Sequence, residues 1–336
     1  MSTLVWRSTA ESYNGLKAGT GQTATNVADS WDSMQRPRRE STSGVYLLPA
    51  LNSREPAAVF KPKDEEICRG SGRVLADFAR GSGAVREVAA YELDREGFVG
   101  VSETRMVKLS AGGLVKEGML QAFVENVGDS EDYGPSLFGV ENVQRIASFD
   151  IRIMNADRHA GNLLVSKTDG EYKLHPIDHG LSMPDNVRTL PWPVWMDWEQ
   201  VKQPMTADVK EHIMNLDPHS DAKLLRSKFG NAISDGAVDA LICGTVLLQV
   251  GASLGLSLFD VGKMIFSVDA ETPGFMERLL TNPVVNHLAD VLEQNFQVES
   301  RCSTIVELTL ESSSLLAEID ANKVHDLVAQ IHFKGN

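Results

Sequence analysis

The chain has 336 residues, 42% of them hydrophobic, and a formal net charge of −14 at pH 7. Such a length and apolar content suffice to bury two sizeable cores. The acidic balance excludes nucleic acid as a general partner and gives no overall attraction to an anionic membrane.

Residues 1–40 are rich in Ser, Thr and Gly and read as a disordered leader, with one basic cluster at Arg36-Pro-Arg-Arg39. The N-terminus lacks the basic and apolar regions of a signal peptide. A small β-rich unit is expected over 41–120. It opens with Ser41-Thr-Ser-Gly44, a tight loop entering a strand at 45–48 that pairs with a second strand at 57–60. Such a loop can cover phosphates with backbone N–H groups, which singles out Ser43 and Gly44. Lys61 emerges at the end of the second strand, ahead of Pro62. After Gly81-Ser-Gly83, residues 86–94 read as a helix whose Val88 and Tyr91 share one face, and Glu87 is the carboxylate placed to hold the Lys61 ammonium.

Residues 119–124 read as a linker into a larger α-rich unit over 121–336. An exposed acidic loop is expected over 125–132. A helix follows over 140–154, with Val143, Ile146, Ala147 and Ile151 spaced for burial.

That helix delivers the chain to Asp157-Arg-His-Ala-Gly-Asn162, and sixteen residues beyond Asn162 comes Asp178-His-Gly180. Between the clusters lie a short apolar strand at 163–165, a Thr168-Asp-Gly170 turn and a returning strand at 172–177. A hairpin brings its outer ends together, so Asn162 and Asp178 can reach one metal ion. A carboxylate to receive a hydroxyl proton, with an amide and a second carboxylate to hold a metal, suits phosphoryl transfer. A competing reading takes Asp157, His159, Asp178 and His179 as a metal-hydrolase cluster, since mixed His and carboxylate ligands suit Zn²⁺, Mn²⁺ or Fe. It gives Lys61 and Glu87 no task.

Together with Ala58-Val-Phe-Lys-Pro62, Arg86-Glu-Val-Ala-Ala-Tyr91, Pro176-Ile-Asp-His-Gly-Leu181 and Leu216-Asp-Pro218, these motifs resemble the phosphatidylinositol 3-/4-kinase superfamily. Within it the chain is most similar to the plant-type gamma phosphatidylinositol 4-kinases of the type II branch, over roughly residues 42–265. The resemblance implies an α+β fold of the two-lobe protein-kinase-like type, with a small β-rich N-lobe and a larger α-rich C-lobe. It implies ATP and Mg²⁺ as cofactors, with Mn²⁺ as an alternative metal, and transfer of the γ-phosphate to the inositol 4-hydroxyl of phosphatidylinositol. A protein serine/threonine kinase on the same scaffold is the alternative, ahead of a low-activity nucleotide-binding scaffold.

The resemblance also distributes roles. Asp157 is the base or hydroxyl-positioning group, and His159 takes either a direct part in catalysis or a structural hydrogen bond. Arg158 braces the loop. Lys61 holds the α/β-phosphates and is positioned by Glu87, while Gln121, Phe123 and Val124 in the linker offer backbone groups to adenine. Asn162 and Asp178 are the metal ligands, and a carboxylate offsets Mg²⁺ dehydration better than an amide.

The chain departs from a lipid kinase after Asp178. Residues 181–199 carry one basic side chain, Arg188, and three tryptophans, Trp192, Trp195 and Trp198. These aromatics suit core packing or, less well, a membrane interface. The palmitoylated cysteine-rich run of animal type II enzymes is missing. Helices are expected over 206–215, 221–229, 235–256, 273–280 and 284–296, with closing elements over 303–312 and 315–333. The longest apolar run, 240–248, is too short to span a bilayer, so no transmembrane segment is expected. Three widely spaced cysteines, Cys68, Cys243 and Cys302, favour reduced thiols. The location expected is cytoplasmic, peripheral at membranes, with the nucleus also open.

Overall fold

The computed structural model describes residues 25–28, 44–49, 54–66, 78–79, 81–186 and 190–268. Ser43, the Arg36 to Arg39 cluster, Cys68, Arg188, Cys302 and all the elements expected beyond 268 lie outside these residues.

The first part is a five-stranded sheet made of β1 (Thr25–Ala28), β2 (Tyr46–Pro49), β3 (Pro56–Pro62), β4 (Thr104–Ala111) and β5 (Leu114–Ala122), in the order β1-β4-β5-β3-β2. The β2–β3 hairpin is the one expected, with Tyr46 opposite Phe60 and Leu48 opposite Ala58. Within the leader expected to be disordered, Thr25–Ala28 form a strand that pairs in parallel with the edge of β4. The β4–β5 hairpin is new. Its loop is Gly112-Gly113, both at positive φ (57° and 80°), as the type I′ turn that matches strand twist requires. One face of the sheet buries Tyr46, Leu48, Phe60, Leu109 and Leu120. Against the opposite face, where Met119 meets Ala84 and Val88, lies α1 (Gly83–Leu93), which starts three residues earlier than expected because Glu66 accepts hydrogen bonds from the first-turn N–H groups of Gly83 and Ala84.

The chain leaves the sheet at Ala122, so the expected linker is corrected: 119–122 are strand, and the connection begins at Phe123. The acidic stretch that follows is not simply an exposed loop. Gly128–Asp129 forms β6 and pairs with β7 (Leu163–Thr168), and Ser130–Asp132 makes a 3-10 turn capped by the Asp129 side chain. Strand β8 (Glu171–Pro176) completes the three-stranded sheet β6-β7-β8.

The larger part is helical. It contains α2 (Val140–Arg152), α3 (Glu199–Lys202), α4 (Ala207–Met214), α5 (Pro218–Phe229), α6 (Asp235–Leu254) and α7 (Leu258–Gly262). A two-stranded pair, β9 (Leu190–Pro191) with β10 (Phe266–Ser267), lies beside them. α5 begins earlier than expected, since Asp217 caps the N–H groups of His219 and Ser220 and Pro218 fits the first turn. Among the described residues α6 alone is long and apolar enough to cross a membrane, and its 18-residue apolar window is 83% buried inside the protein. A helix apolar on every side is a core helix. α6 packs against α2, α4 and α5. Its Cys243 is disulfide-bonded, against the expectation of a reduced thiol at that position.

Candidate active site

Three elements converge on one cleft. β3 supplies Lys61, α1 supplies Glu87, and the turn after β8 supplies Asp178. The Lys61 ammonium lies 2.7 Å from Glu87 Oε1 and 3.0 Å from Asp178 Oδ1. Glu87 is buried at 1% exposure, whereas the Asp178 side chain is 46% exposed and open to the cleft. Burial by itself would lower the Lys61 pKa, but the carboxylates of Asp178 and Glu87 outweigh it and hold the pKa above that of a free lysine. Burial would likewise raise Glu87, yet Lys61 and then His179 hold its carboxyl well below the usual range. The second oxygen of Glu87 accepts the backbone N–H of His179 at 3.0 Å.

The β7–β8 hairpin does what its sequence implies. Leu163 pairs with Pro176, and the Ile177 N–H donates to Asn162 O at 3.1 Å, so Asn162 and Asp178 flank one open edge. Asn162 Nδ2 donates to Asp157 O at 2.9 Å, which ties the amide to the loop. Asp157 is pushed up from the ordinary aspartate pKa, first by burial and then by the charge of Asp178. His159 caps the turn Ala160–Asn162 by accepting the Gly161 N–H on Nδ1 at 3.1 Å. That bond puts the proton of a neutral ring on Nε2 and makes His159 a donor toward the solvent side.

Behind these residues sits a brace that sequence reading named only in part. Arg158 is fully buried and bonds Asp150 at 2.9 and 3.1 Å through Nε and Nη2. Its Nη1 donates to Asn162 O and Ile177 O, both at 2.7 Å. Asp150 also accepts from Asn155 at 3.0 Å and from Trp195 Nε1 at 2.9 Å. Trp195 is therefore a core residue, as is Trp198, and Trp192 is half-buried with its Nε1 on Asp197.

Three of the residues expected to meet the nucleotide have partners of their own within the protein. Gly44 does not offer a free amide: its N–H donates to Glu65 O at 3.4 Å, and a Cβ there would meet the Glu65 carboxylate, which accounts for the glycine. Gln121 is inside β5, between Val59 and Thr104, and its side chain donates to Thr104 Oγ1 at 2.9 Å. The Phe123 N–H is also taken, by Ala57 O at 3.0 Å. Val124, the next residue, makes no backbone N–H bond among the described residues.

Residues 80–241 match the family described as phosphatidylinositol 3- and 4-kinase. The chain carries a phosphatidylinositol 3- and 4-kinase domain. It is 40% identical over 251 residues to phosphatidylinositol 4-kinase gamma 4 of Oryza sativa subsp. japonica, covering 67% of this chain and 44% of the relative. It is 34% identical over 278 residues to phosphatidylinositol 4-kinase gamma 3 of Arabidopsis thaliana (72% and 48%), and 36% identical over 263 residues to gamma 2 of the same plant (67% and 48%). The chain thus spans about half the length of these relatives. A solved structure of a Helicobacter pylori proinflammatory kinase, CtkA, aligns over 71% of this chain and 96% of that one at 12% identity and a TM-score of 0.38, too remote to argue from.

The kinase domain has the α+β two-lobe architecture expected, with Lys61 and Glu87 on the sheet side and Asp157, Asn162 and Asp178 on the helical side. The competing hydrolase cluster is not assembled: among the described residues no group of three or more His, Cys, Asp or Glu side chains is placed to hold a metal. His179 is fully buried against the Phe149 edge with neither ring nitrogen hydrogen-bonded. A kinase metal site needs less from the protein, since Mg²⁺ takes one or two carboxylates and completes its shell with phosphates and water. The exposed Asp178 carboxylate, whose charge Asp157 feels, and the adjacent Asn162 amide fit that donor set.

Proposed function

We propose that the chain is an ATP- and Mg²⁺-dependent phosphotransferase that transfers the γ-phosphate of ATP to the inositol 4-hydroxyl of phosphatidylinositol. The observation that carries this is the Lys61, Glu87 and Asp178 triangle at 2.7 and 3.0 Å, facing Asp157 across the cleft. Lys61 would hold the α/β-phosphates, with Glu87 fixing its ammonium. Val124 would meet adenine through its backbone. Asp178 and Asn162 would hold the Mg²⁺, which neutralises phosphate charge and helps fix the γ-phosphoryl group. Asp157 takes the proton of the acceptor hydroxyl as its oxygen attacks phosphorus and the bond to the ADP oxygen breaks. Its raised pKa suits it to that step. His159 donates from Nε2 to a phosphoryl oxygen. The relatives named phosphatidylinositol 4-kinase gamma support the lipid acceptor.

A protein serine/threonine acceptor is the second reading, favoured by the near absence of basic side chains over 181–199. Radiolabelled ATP offered in parallel to phosphatidylinositol vesicles and to a protein pool separates the two. With a net charge of −14, added phosphatidylserine should depress lipid turnover at low salt. That deficit should close as ionic strength rises through about 0.15 M, where the Debye length is about 8 Å. Labelling confined to protein would overturn the lipid reading. Stimulation by phosphatidylserine that collapses with salt would show that a local basic patch, such as Arg36 to Arg39, governs membrane approach.

A further inference from the structure

Two consecutive residues of α1 grip the chain just after Asp178, and only one of them belongs to the machinery described so far. Glu87 takes the N–H of His179. Arg86, 2% exposed, reaches the other end of the same stretch. Its Nη1 donates to Ser182 O at 2.8 Å and to Met183 O, and its Nη2 lies 2.8 Å from Asp185 Oδ1. Nε donates to Ser82 Oγ at 3.1 Å, and the guanidinium sits over the Phe78 ring at 5.0 Å from its centroid. Asp185 in turn accepts from the Ala79 N–H and from Ser234, the N-cap of α6.

The gripped stretch needs holding. Asp178 and Met183 both lie at positive φ, 57° and 53°, a conformation that side-chain-bearing residues keep only where the surroundings impose it. The Met183 N–H is fixed by Ile153 O at 2.6 Å and its carbonyl by Arg86. Released from Arg86, the stretch would lose the contact that closes its far end, and Asp178 would lose its fixed aim at Lys61 and the cleft.

We propose that Arg86 is a positioning residue for phosphoryl transfer: its fork on Ser182, Met183 and Asp185 sets the backbone that presents Asp178 to the metal. The proposal rests on the reading of Asp178 as a metal ligand. It explains why an arginine stands there, since a lysine's single ammonium cannot serve two carbonyls and a carboxylate in one plane. Through Asp185 and Ser234 it also links the α1 start to the α6 start, so the aim of Asp178 is set by both lobes.

The test compares Arg86→Met, Arg86→Lys and Asp185→Asn with the parent in the full chain. Free Mn²⁺ is followed by electron paramagnetic resonance in the presence of ATP, and amide exchange over 179–185 is followed without ligand. Arg86→Met should raise half-saturating Mn²⁺ about 10-fold, as loss of an outer-shell partner does, and should speed exchange over 179–185. Arg86→Lys should restore little of either. Asp185→Asn keeps the Ala79 contact, so it should fold, and should shift Mn²⁺ in the same direction by a smaller factor. A fallen melting temperature with unchanged Mn²⁺ half-saturation would make Arg86 structural only and overturn the proposal. Unchanged exchange overturns it whatever the nucleotide does. A parent that binds no Mn²⁺ with ATP overturns the phosphotransfer reading first, and the metal-positioning role with it.

Discussion

Lys61 and Glu87 form one unit, and removing either side should have unequal effects on stability but equal effects on activity. Lys61→Met leaves a carboxylate at 1% exposure with the His179 N–H as its remaining backbone donor. Breaking a buried pair in this way costs about 3 kcal/mol. Glu87→Gln leaves Lys61 beside the half-exposed Asp178, 3.0 Å away, and should cost about 1 kcal/mol. Lys61→Met/Glu87→Gln should be no less stable than Lys61→Met, a coupling of about 1 kcal/mol or more. Each single change should lower kcat/KM by about 100-fold or more, and the double mutant should be little worse than either. Urea unfolding and initial-rate assays on the four proteins measure both cycles. The pH dependence has a defined sign. The Glu87 pKa is depressed in the folded state, so its contribution is present above the unfolded value of about 4.3 and is lost as pH falls through the folded value. The Lys61 pKa is raised, so its contribution is present below about 10.4 and is lost as pH climbs through the folded value. The double mutant should flatten both limbs. Additive losses in either cycle, or unchanged limbs, would refute the coupling.

Asp178→Ala should abolish phosphoryl transfer while leaving the melting temperature close to that of the parent, because its side chain is 46% exposed and Lys61 keeps Glu87; turnover at saturating Mg²⁺ would contradict this. The acid limb of kcat/KM should lie above the ordinary aspartate value of about 3.9, since burial and Asp178 raise Asp157 and the base must be ionised. Higher Mg²⁺ should move that limb down by neutralising Asp178, and a limb indifferent to Mg²⁺ would separate the two carboxylates. Trp195→Phe removes the 2.9 Å bond to buried Asp150 and should destabilise the protein by about 1–3 kcal/mol in urea unfolding, with activity per folded molecule near the parent's. Unchanged stability would remove Trp195 from the brace.

Local patterns were readable where chemistry and periodicity coincide. The β7–β8 hairpin follows from two strands around Asp169-Gly170, and α2 from the spacing of Val143, Ile146, Ala147 and Ile151, all buried. The β4–β5 hairpin was missed although Gly112-Gly113 marks its turn, because Lys108, Lys116 and Glu117 blur the alternation. Lys116 nevertheless sits at 9% exposure, held by Asp64 and Glu65 at 2.7 Å. That is tertiary compensation no window of sequence displays. Asp129 and Ser130 look like parts of an exposed acidic loop, yet both are buried, one capping a turn and the other bonded to Ala160 O. Trp195 and Asp150 are 45 positions apart, and Arg86 and Asp185 are 99 apart. No local signal announces such pairs. Gly44 shows how a loop glycine can have a packing reason that the sequence does not display: a Cβ there would meet the Glu65 side chain, 21 positions away.

The charges of the cleft divide into two kinds, and the division separates brace from site. Asp150 is fully buried, and its oxygens accept from Arg158, Asn155 and Trp195, so its charge is met and its geometry is fixed. A charge matched in this way holds the catalytic loop but has nothing to give a ligand. Around Lys61 the count is different, since Glu87 and Asp178 share a single ammonium and the charge of Asp178 also bears on the half-buried Asp157. Two like charges 4 Å apart repel by about 4 kcal/mol at an effective dielectric of 20, so such a cleft opposes an incoming polyphosphate. A divalent cation at Asp178 reverses that sign and frees Lys61 from one of its two partners. The same carboxylate that raises Asp157 toward a base's working range is therefore the one that makes the site depend on metal.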